Sequence, residues 1–336
     1  MDIEQAGELV TYLRESGRIG ASEEADVRVL PGGVSNRTVL VHRPWGEAWV
    51  IKQALPKLRV SVEWLSAPER ILREAAGMRH LGELLPAGTV PQFIFEDPRH
   101  FILAMSAVPE PHRNWKTMLM AGEVIDEHID QFAQLLAAIH GGRSDRLRET
   151  FGDTSFFESL RLEPYYGYTA QRTAAASTFL KSLMEETRAH RIALVHGDYS
   201  PKNILVHRDR LVLLDHEVIH FGDPAFDLGF SLTHLLSKAN HLAAQRDRFA
   251  AAAIRYWTGY AAAAADAEAE GELEARAVRQ TLGCLLARVD GRSPLEYLSE
   301  EQRRRQRAAV VQLMANPPVR VSVLVEEFLR RMNECR

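Results

Sequence analysis

The sequence has 336 residues, of which 46% are hydrophobic and 26% are charged, and its formal net charge is −4. This balance is typical of a globular protein long enough for two domains, and the absence of a basic excess argues against nucleic-acid binding. No apolar run of about 18 residues predicts a membrane span, and the acidic N-terminus is unlike a signal peptide. We therefore predict a soluble, cytoplasmic protein with reduced thiols at Cys284 and Cys335.

The first third of the chain is predicted to consist of short strands around one long helix. A helix is expected at residues 3–14, and strands are expected at residues 27–30, 38–42, 48–52, 92–95 and 101–105, with turn-forming residues at 31–33 and 44–46. Residues 68–85 place apolar side chains on one face at a period of about 3.6, which predicts a helix. This pattern predicts a small β-rich lobe, residues 1–106.

The remainder of the chain is predicted to be mainly helical. Amphipathic segments lie at residues 125–140, 169–189, 242–265, 272–288, 300–315 and 321–331. A single β-like region lies among them at residues 193–220. We predict a larger lobe over residues 107–336 and an α+β fold.

The most informative segment is residues 194–206, LVHGDYSPKNILV. A hydrophobic strand leads to Asp198, Asn203 opens a second apolar strand five residues later, and a third apolar run ends at Asp215. Phosphoryl transfer needs a carboxylate that accepts the proton of the attacking hydroxyl and oxygen ligands that hold Mg²⁺. We predict Asp198 as the catalytic carboxylate and Asn203 and Asp215 as Mg²⁺ ligands, because their spacing matches the catalytic loop of kinases.

These residues resemble the aminoglycoside phosphotransferase-like family of small-molecule kinases. That family carries the same His-Gly-Asp loop, the Asn five residues beyond it, and a later Gly-Asp-Pro and Asp-Leu signature, which is found here at residues 222–228. The resemblance implies a bilobal protein-kinase-like fold. It also implies that Asp227 supports the catalytic loop from below and does not touch substrate.

The N-terminal lobe is predicted to bind the nucleotide. Lys52 ends an apolar strand as the strand lysine of kinases does, and Glu74 is expected to pair with it so that it reaches the α- and β-phosphates. A turn between two strands allows close approach of backbone N–H groups to phosphate, and Met105 would lie at the adenine hinge by resemblance. The phosphate-binding residues predicted in this turn are Gly32, Gly33, Ser35 and Asn36.

Two segments also resemble methylthioribose kinases locally. They are residues 52–56, KQALP, and residues 215–217, DHE, in which Glu217 could reach a second Mg²⁺ or the phosphates. The alternative for Glu217 is a salt bridge or an exposed edge position. The form of residues 200–203, SPKN, departs from that group. The acceptor therefore stays open among sugar-like, aminoglycoside-like and other polyol or amino-alcohol compounds.

The acceptor pocket of this fold is built by helices of the C-terminal lobe. Candidates are the tyrosines at 165, 166 and 168 and the segment 287–294, from which we select Arg288 and Asp290 as substrate residues. An ordinary helix connection with an exposed salt bridge is the favoured alternative for that segment. The dense histidines late in the chain are not predicted to bind zinc, and we expect His196 to support the catalytic loop by hydrogen bonds.

Together these features predict an ATP-dependent phosphotransferase that uses Mg²⁺, with GTP as an alternative donor. Its acceptor is a small molecule, and neither nucleic acid nor membrane is expected as a partner. A protein kinase is disfavoured because the twelve residues from Asp215 to Asp227 leave no room for a long activation segment. A nucleotide-binding pseudokinase without transferase activity is the alternative. The sequence does not predict the oligomeric state.

Overall fold

A computed structural model describes residues 1–31, 33–59, 64–264 and 270–334. The chain forms two compact units. The first contains Met1–Pro111 and Val212–Glu217, and the second contains His112–Leu211 and Val218–Arg336. The first break lies five residues beyond the expected boundary at 106, and no sequence pattern indicated that a short later segment joins the first unit. Gly32 and Cys335 lie outside the described residues.

The first unit is a twisted antiparallel sheet with two helices. Its elements are α1 (Ala6–Glu15), β1 (Asp26–Val29), β2 (Asn36–His42), β3 (Ala48–Ala54), α2 (Arg70–Leu84), β4 (Phe93–Asp97) and β5 (Ile102–Ser106). The five strands lie in the order β1-β2-β3-β5-β4. Each predicted element of this region is therefore present, with its ends shifted by a few residues.

The alternation of side chains along β3 separates the two cores of this unit. Trp49 and Ile51 pack with α1 in one apolar cluster, whereas Val50 and Ala54 pack with α2 in another. Because successive side chains of a strand point to opposite faces, Lys52 lies on the α2 face. The period of the strand thus places a lysine beside the helix that carries the predicted partner carboxylate.

The second unit is mostly helical. It begins with β6 (Arg113–Asn114), α3 (Trp115–Met120), α4 (Asp126–His140), α5 (Asp145–Phe151), α6 (Ser155–Phe157), a π-helix (Glu158–Gly167), α7 (Tyr168–Arg172) and α8 (Ser177–Ala189). It continues with β7 (Ala193–Val195), β8 (Ile204–His207), β10 (His220–Gly222), α9 (Pro224–His241), α10 (Arg246–Ala263), α11 (Glu270–Asp290), α12 (Glu300–Ala315) and α13 (Val321–Glu334). Strand β9 (Arg210–Leu213) leads the chain from the second unit into the first.

Helix α9 is the core of the second unit. Asp223 caps its N-terminus by accepting a hydrogen bond from the Ala225 N–H at 3.0 Å. Every residue of the helix except His241 is buried, and α10 and α11 pack against it. A Cβ at Gly229 would lie 2.6 Å from backbone atoms of Gln280 and Thr281 in α11, so glycine allows the two helices to approach closely.

Several features of this unit differ from the sequence-based prediction, including the short helices α3 and α5, which were not predicted. The helix expected at residues 169–189 is interrupted at Thr173, which adopts a non-helical conformation. The π-helix was not predicted, nor was α9, because a helix that is buried all round has no polar face to reveal its period. The α+β class itself is confirmed. In the described part of the chain, no helix combines the length and hydropathy required to cross a bilayer.

Candidate active site

In the first unit, a buried lysine lies between two carboxylates. The Lys52 Nζ is 2.6 Å from Glu74 Oε1 and 3.4 Å from Asp215 Oδ1. The Glu74 side chain is fully buried, and that of Lys52 is 13% exposed. Asp215 adopts a left-handed backbone conformation with φ of 68°, which is uncommon for a non-glycine residue and is typical of functional sites. The sequence-predicted Lys52, Glu74 and Asp215 are thus brought together.

Burial and mutual charge shift the ionisation of this group. Burial raises the pKa of Glu74 to about 7, and the Asp215 carboxylate adds to this effect against the opposing charge of Lys52. Burial alone would lower the pKa of Lys52, but the carboxylates of Asp215 and Glu74 hold it above its ordinary value. Lys52 is therefore charged at neutral pH.

Glu217 lies beside the same group and is held by an arginine. Its Oε2 accepts hydrogen bonds from Arg70 Nε at 3.1 Å and Asn36 Nδ2 at 3.3 Å. The fully buried Arg70 guanidinium also donates to the backbone oxygens of Ser35 and Leu55. Arg70 therefore connects the Glu217 carboxylate to the turn before β2. Glu217 therefore forms a salt bridge, which is the alternative stated above. That Glu217 also binds Mg²⁺ stays a prediction.

The predicted phosphate-binding turn is partly described. The Asn36 Nδ2 donates to Ser35 Oγ at 3.2 Å, and Ser35 O also accepts from the Leu55 N–H at 3.0 Å. A Cβ at Gly33 would lie 3.0 Å from Asn36 O, so the turn is tight. Met105 is buried in the core against α2. Its expected position at an adenine hinge stays a prediction.

In the second unit, Asp198 is buried and surrounded by donors. Its Oδ2 is 2.8 Å from Arg161 Nη2, 2.8 Å from Asn203 Nδ2 and 3.3 Å from Lys202 Nζ. The Arg161 Nε also donates to Gly197 O at 3.0 Å, so the guanidinium holds both the carboxylate and its loop. Asn203 thus lies next to the predicted catalytic carboxylate.

Asp227 holds the loop that carries Asp198. Its carboxylate accepts the backbone N–H groups of His196 at 2.7 Å and Gly197 at 2.8 Å. Burial alone would raise the pKa of Asp227. The hydrogen bond from the His140 ring, with smaller contributions from His140 and His196, holds that pKa below its usual value. The His196 Nδ1 accepts from the Asp198 N–H at 3.2 Å.

Gly197 is required by geometry at the centre of this loop. Its φ is 78°, and a Cβ there would lie 2.9 Å from Val218 O. A side chain would therefore be strained by the backbone conformation and also obstructed by a backbone oxygen.

The two predicted substrate residues lie in different surroundings. Arg288 is 5% exposed and packs over the rings of Tyr165 and Phe230, at 5.0 and 5.2 Å. Asp290 instead forms an ion pair with Arg307, whose Nε is 2.8 Å from Asp290 Oδ2. The favoured alternative of an exposed salt bridge is therefore wrong for Arg288. Residues 287–290 also belong to α11, so the connecting loop begins only at Gly291.

Sequence reasoning missed the two arginines that organise the carboxylates. Arg70 follows Pro68 and Glu69 at the start of α2 and looked like an ordinary charged first-turn residue. Arg161 lies between the buried Leu160 and Leu162. An arginine between two leucines is the available signal, and it does not name a partner.

The first unit also offers a site for a divalent cation. Carboxylate oxygens of Glu74, Asp215 and Glu217 lie within 4.8 Å of one another. Three carboxylates face the cations of Lys52 and Arg70, which leaves an excess of negative charge. Oxygen donors of this kind suit Mg²⁺, so the residues present fit that ion.

Comparison with known proteins shows related sequences. The model of the phosphotransferase enzyme family matches residues 26–266. A methylthioribose kinase of Pectobacterium atrosepticum is 26% identical over 215 residues, which cover 56% of this chain and 53% of that protein. The chain thus spans about half the length of the curated relatives it matches.

Solved structures with a similar fold cover nearly the whole chain. A choline/ethanolamine kinase family protein from Mesorhizobium loti has a TM-score of 0.54 and 15% identity, over 98% of this chain and 99% of that one. An ADP-bound aminoglycoside phosphotransferase has a TM-score of 0.52 and 16% identity, over 94% of this chain and 98% of that one. At these identities the likeness shows the fold alone, and it confirms the predicted kinase-like fold class.

Proposed function

The chain belongs to the phosphotransferase enzyme family, and from this premise we propose that it is an ATP-dependent kinase that phosphorylates a hydroxyl group of a small molecule. The observation that carries the proposal is the buried Lys52, held between Glu74 and Asp215. A cation fixed in this way is suited to bind nucleotide phosphates. GTP is the alternative donor.

We propose that the first unit binds the nucleotide. Glu74 restricts the Lys52 ammonium, and the tight turn at residues 33–36 offers backbone N–H groups to the phosphates. Arg70 contributes indirectly, because it holds the turn through Ser35 O and the acidic group through Glu217. The ADP bound to the aminoglycoside phosphotransferase of similar fold supports a nucleotide ligand.

We propose that the second unit provides the proton acceptor. Asp198 is fixed by Arg161 and Asn203, and its loop is fixed by the two backbone hydrogen bonds to Asp227. Its carboxylate would orient the acceptor hydroxyl and take its proton as the phosphoryl group transfers. A rigid loop serves this role because the barrier rises when the reacting groups are misplaced.

We further propose that Asp215 and Glu217 hold Mg²⁺ in the first unit; Asn203, the other predicted ligand, belongs to the second unit. When bound, this ion would neutralise charge on the phosphate oxygens. The acidic group of the first unit has the oxygen donors that such an ion requires.

The test is ADP release from ATP with a panel of acceptors that includes aminoglycosides, methylthioribose, choline, homoserine and sugars. The Asp198→Asn substitution preserves the shape of the side chain but removes the proton acceptor. We expect it to lower kcat by about 10²-fold or more, while nucleotide affinity measured by calorimetry stays within about twofold.

The matched control is Asp209→Asn, which changes an exposed carboxyl in the turn between β8 and β9. It should retain the wild-type rate. Full activity of Asp198→Asn would contradict the assignment of the proton acceptor. Nucleotide binding without phosphate transfer to any acceptor in the panel would favour the pseudokinase instead.

A further inference from the structure

The second unit contains positive charge that the proposed mechanism does not use. Two basic side chains lie next to His234, Arg288 of α11 and Lys238 of α9. Both side chains are at least nine-tenths buried. In the described ranges of the chain, neither has a carboxylate within ion-pair distance. A buried cation without a counter-ion costs free energy, so the arrangement calls for a functional explanation.

One edge of the Arg288 guanidinium, formed by Nε and Nη2, has few hydrogen bonds. Its Nη1 donates to Ser293 O at 2.8 Å and Ser293 Oγ at 3.0 Å. Its Nη2 makes only a long contact of 3.4 Å with His234 Nε2, and its Nε has no acceptor among the described residues. The Nε–Nη2 edge is one that binds a carboxylate or phosphate through two parallel hydrogen bonds.

Lys238 and His234 extend the same positive region. The Lys238 Nζ donates to His234 O at 3.2 Å and lies 5.6 Å from the centre of the Tyr297 ring. The Tyr297 hydroxyl is buried and has no hydrogen-bond partner within the residues that are described. Burial and the nearby charges of Arg288 and Lys238 hold the pKa of His234 well below its usual range, so the imidazole remains neutral at neutral pH.

The positive region continues toward the proposed catalytic carboxylate. Lys202, whose Nζ is 3.3 Å from Asp198 Oδ2, also acts electrostatically on the His234 ring, as does Lys116. Lys116 pairs with the exposed carboxylate of Glu296. Glu296 and Asp198 are fewer than the four basic side chains that act on His234, and Asp198 also pairs with Arg161.

Resting on the proposed kinase function, we infer that the acceptor carries an oxyanion group, a carboxylate or a phosphate, which binds at Arg288 and Lys238. The hydroxyl to be phosphorylated would then face Asp198, while the anionic end pairs with the Arg288 guanidinium and favours the protonated form of Lys238. A cationic acceptor such as an aminoglycoside or choline would be repelled by the same charges.

The experiment compares acceptors that differ only in charge: ribose, ribonate and ribose 5-phosphate. The melting temperature of the full chain is measured with each compound, which reports binding without turnover, and ADP release is measured with ATP. We expect ribonate or ribose 5-phosphate, but not ribose, to raise the melting temperature. The member with the larger shift distinguishes a carboxylate from a phosphate site.

Two variants test the residues named. Arg288→Gln should lower kcat/KM for the anionic acceptor about 10- to 100-fold and for ribose less than threefold, because only the charged ligand loses a charge-assisted hydrogen bond. Lys238→Met should act in the same direction. Arg304→Gln, which removes an exposed arginine of α12, is the matched control and should keep the anion preference.

The inference is overturned if neither anionic compound binds at 10 mM, if ribose serves equally well, or if the anion preference survives both variants. Phosphorylation of neutral acceptors alone would overturn this inference and leave the kinase function intact. Absence of nucleotide binding to the wild-type protein would instead refute the proposed function, and the melting shift would still decide whether anions bind.

Discussion

Arg161 and Asp198 form a buried ion pair, and Lys202 places a second cation 3.3 Å from Asp198 Oδ2. Removal of one partner from such a pair costs roughly 3–5 kcal/mol, because the remaining charge stays buried. We expect Arg161→Met to lower the free energy of unfolding by no more than about 3 kcal/mol, because Lys202 and Asn203 still contact Asp198. Combined with Asp198→Asn, which removes the stranded charge, the effects should not add, and a coupling energy above about 1 kcal/mol is expected from urea unfolding.

The control for this cycle is Arg146→Met, an exposed position of α5, which should change stability by less than about 0.5 kcal/mol. Strict additivity of Arg161→Met and Asp198→Asn would show that the two side chains do not interact.

Lys238 should make stability depend on pH. Burial, with the charge of Lys116, lowers the pKa of Lys238 to about 7 from its ordinary value of 10.5. As pH falls from about 10.5 toward 7, the unfolded chain binds a proton that the folded chain does not, so this group progressively reduces stability. Lys238→Met removes the effect. Its gain in unfolding free energy should be larger at pH 7.5 than at pH 10, by roughly 3 kcal/mol.

Urea unfolding at both pH values measures this difference. The exposed Lys181→Met in α8 supplies the comparison and should show none. An equal gain at both pH values for Lys238→Met would mean that the ammonium is protonated in the folded state throughout.

At the scale of single residues, the sequence allows prediction of the side chains that form the kinase motifs. It does not allow prediction of the arginines that pair with the carboxylates of those motifs. Lys52, Glu74 and Asp215 could be selected because kinase chemistry requires those groups in that order. Arg70 and Arg161 could not, because their partners lie far along the chain. Arg161 is 37 positions from Asp198 and Arg70 is 147 from Glu217, and only folding brings them together.

At the scale of elements, the contact between α9 and α11 depends on a glycine. Gly229→Ala would place a methyl group against the backbone of α11, which cannot rotate away as a side chain can. We expect a loss of roughly 1–3 kcal/mol in the free energy of unfolding. Gly271→Ala, in α11 with no atom within 4 Å of the added Cβ, should instead stabilise the protein by up to about 1 kcal/mol.

Thermal or urea unfolding of both variants measures these opposite signs. An unchanged stability in Gly229→Ala would show that the helices can separate at no cost.

The helices that could be predicted from the sequence are those with one solvent-exposed face and one buried face. The period of α4 or α12 is visible because polar residues alternate with buried ones, and α12 also begins with a capping box at Ser299 and Gln302. Helix α9 has no such contrast. The π-helix at Glu158–Gly167 contains Pro164, and a period of 3.6 residues does not predict its wider turns.

At the scale of the whole molecule, the first unit is discontinuous in sequence. A fragment of residues 1–111 retains the buried Arg70 and Lys52 but lacks the carboxylates of Glu217 and Asp215. Loss of those partners costs several kcal/mol, which is comparable to the total stability of a small domain. We expect the fragment to show no cooperative thermal transition by circular dichroism.

The full chain with Glu217→Gln isolates one of these ion pairs and should still unfold cooperatively, at a lower temperature than the wild type. A fragment that melts cooperatively would show that the strands and α2 suffice without the returning segment.

The ion pair between Arg70 and Glu217 also sets the order in which contacts can form during protein synthesis. Arg70 leaves the ribosome 147 positions before its carboxylate partner, an interval of roughly 7–30 s at ordinary elongation rates. Throughout that time Arg70, at the start of α2, lacks the carboxylate with which it pairs in the folded protein. The ion pairs of Glu217 and Asp215 in the first unit can therefore form only after residues 112–211 have been translated, so the nucleotide-binding half of a newly made molecule matures late although its sequence comes first.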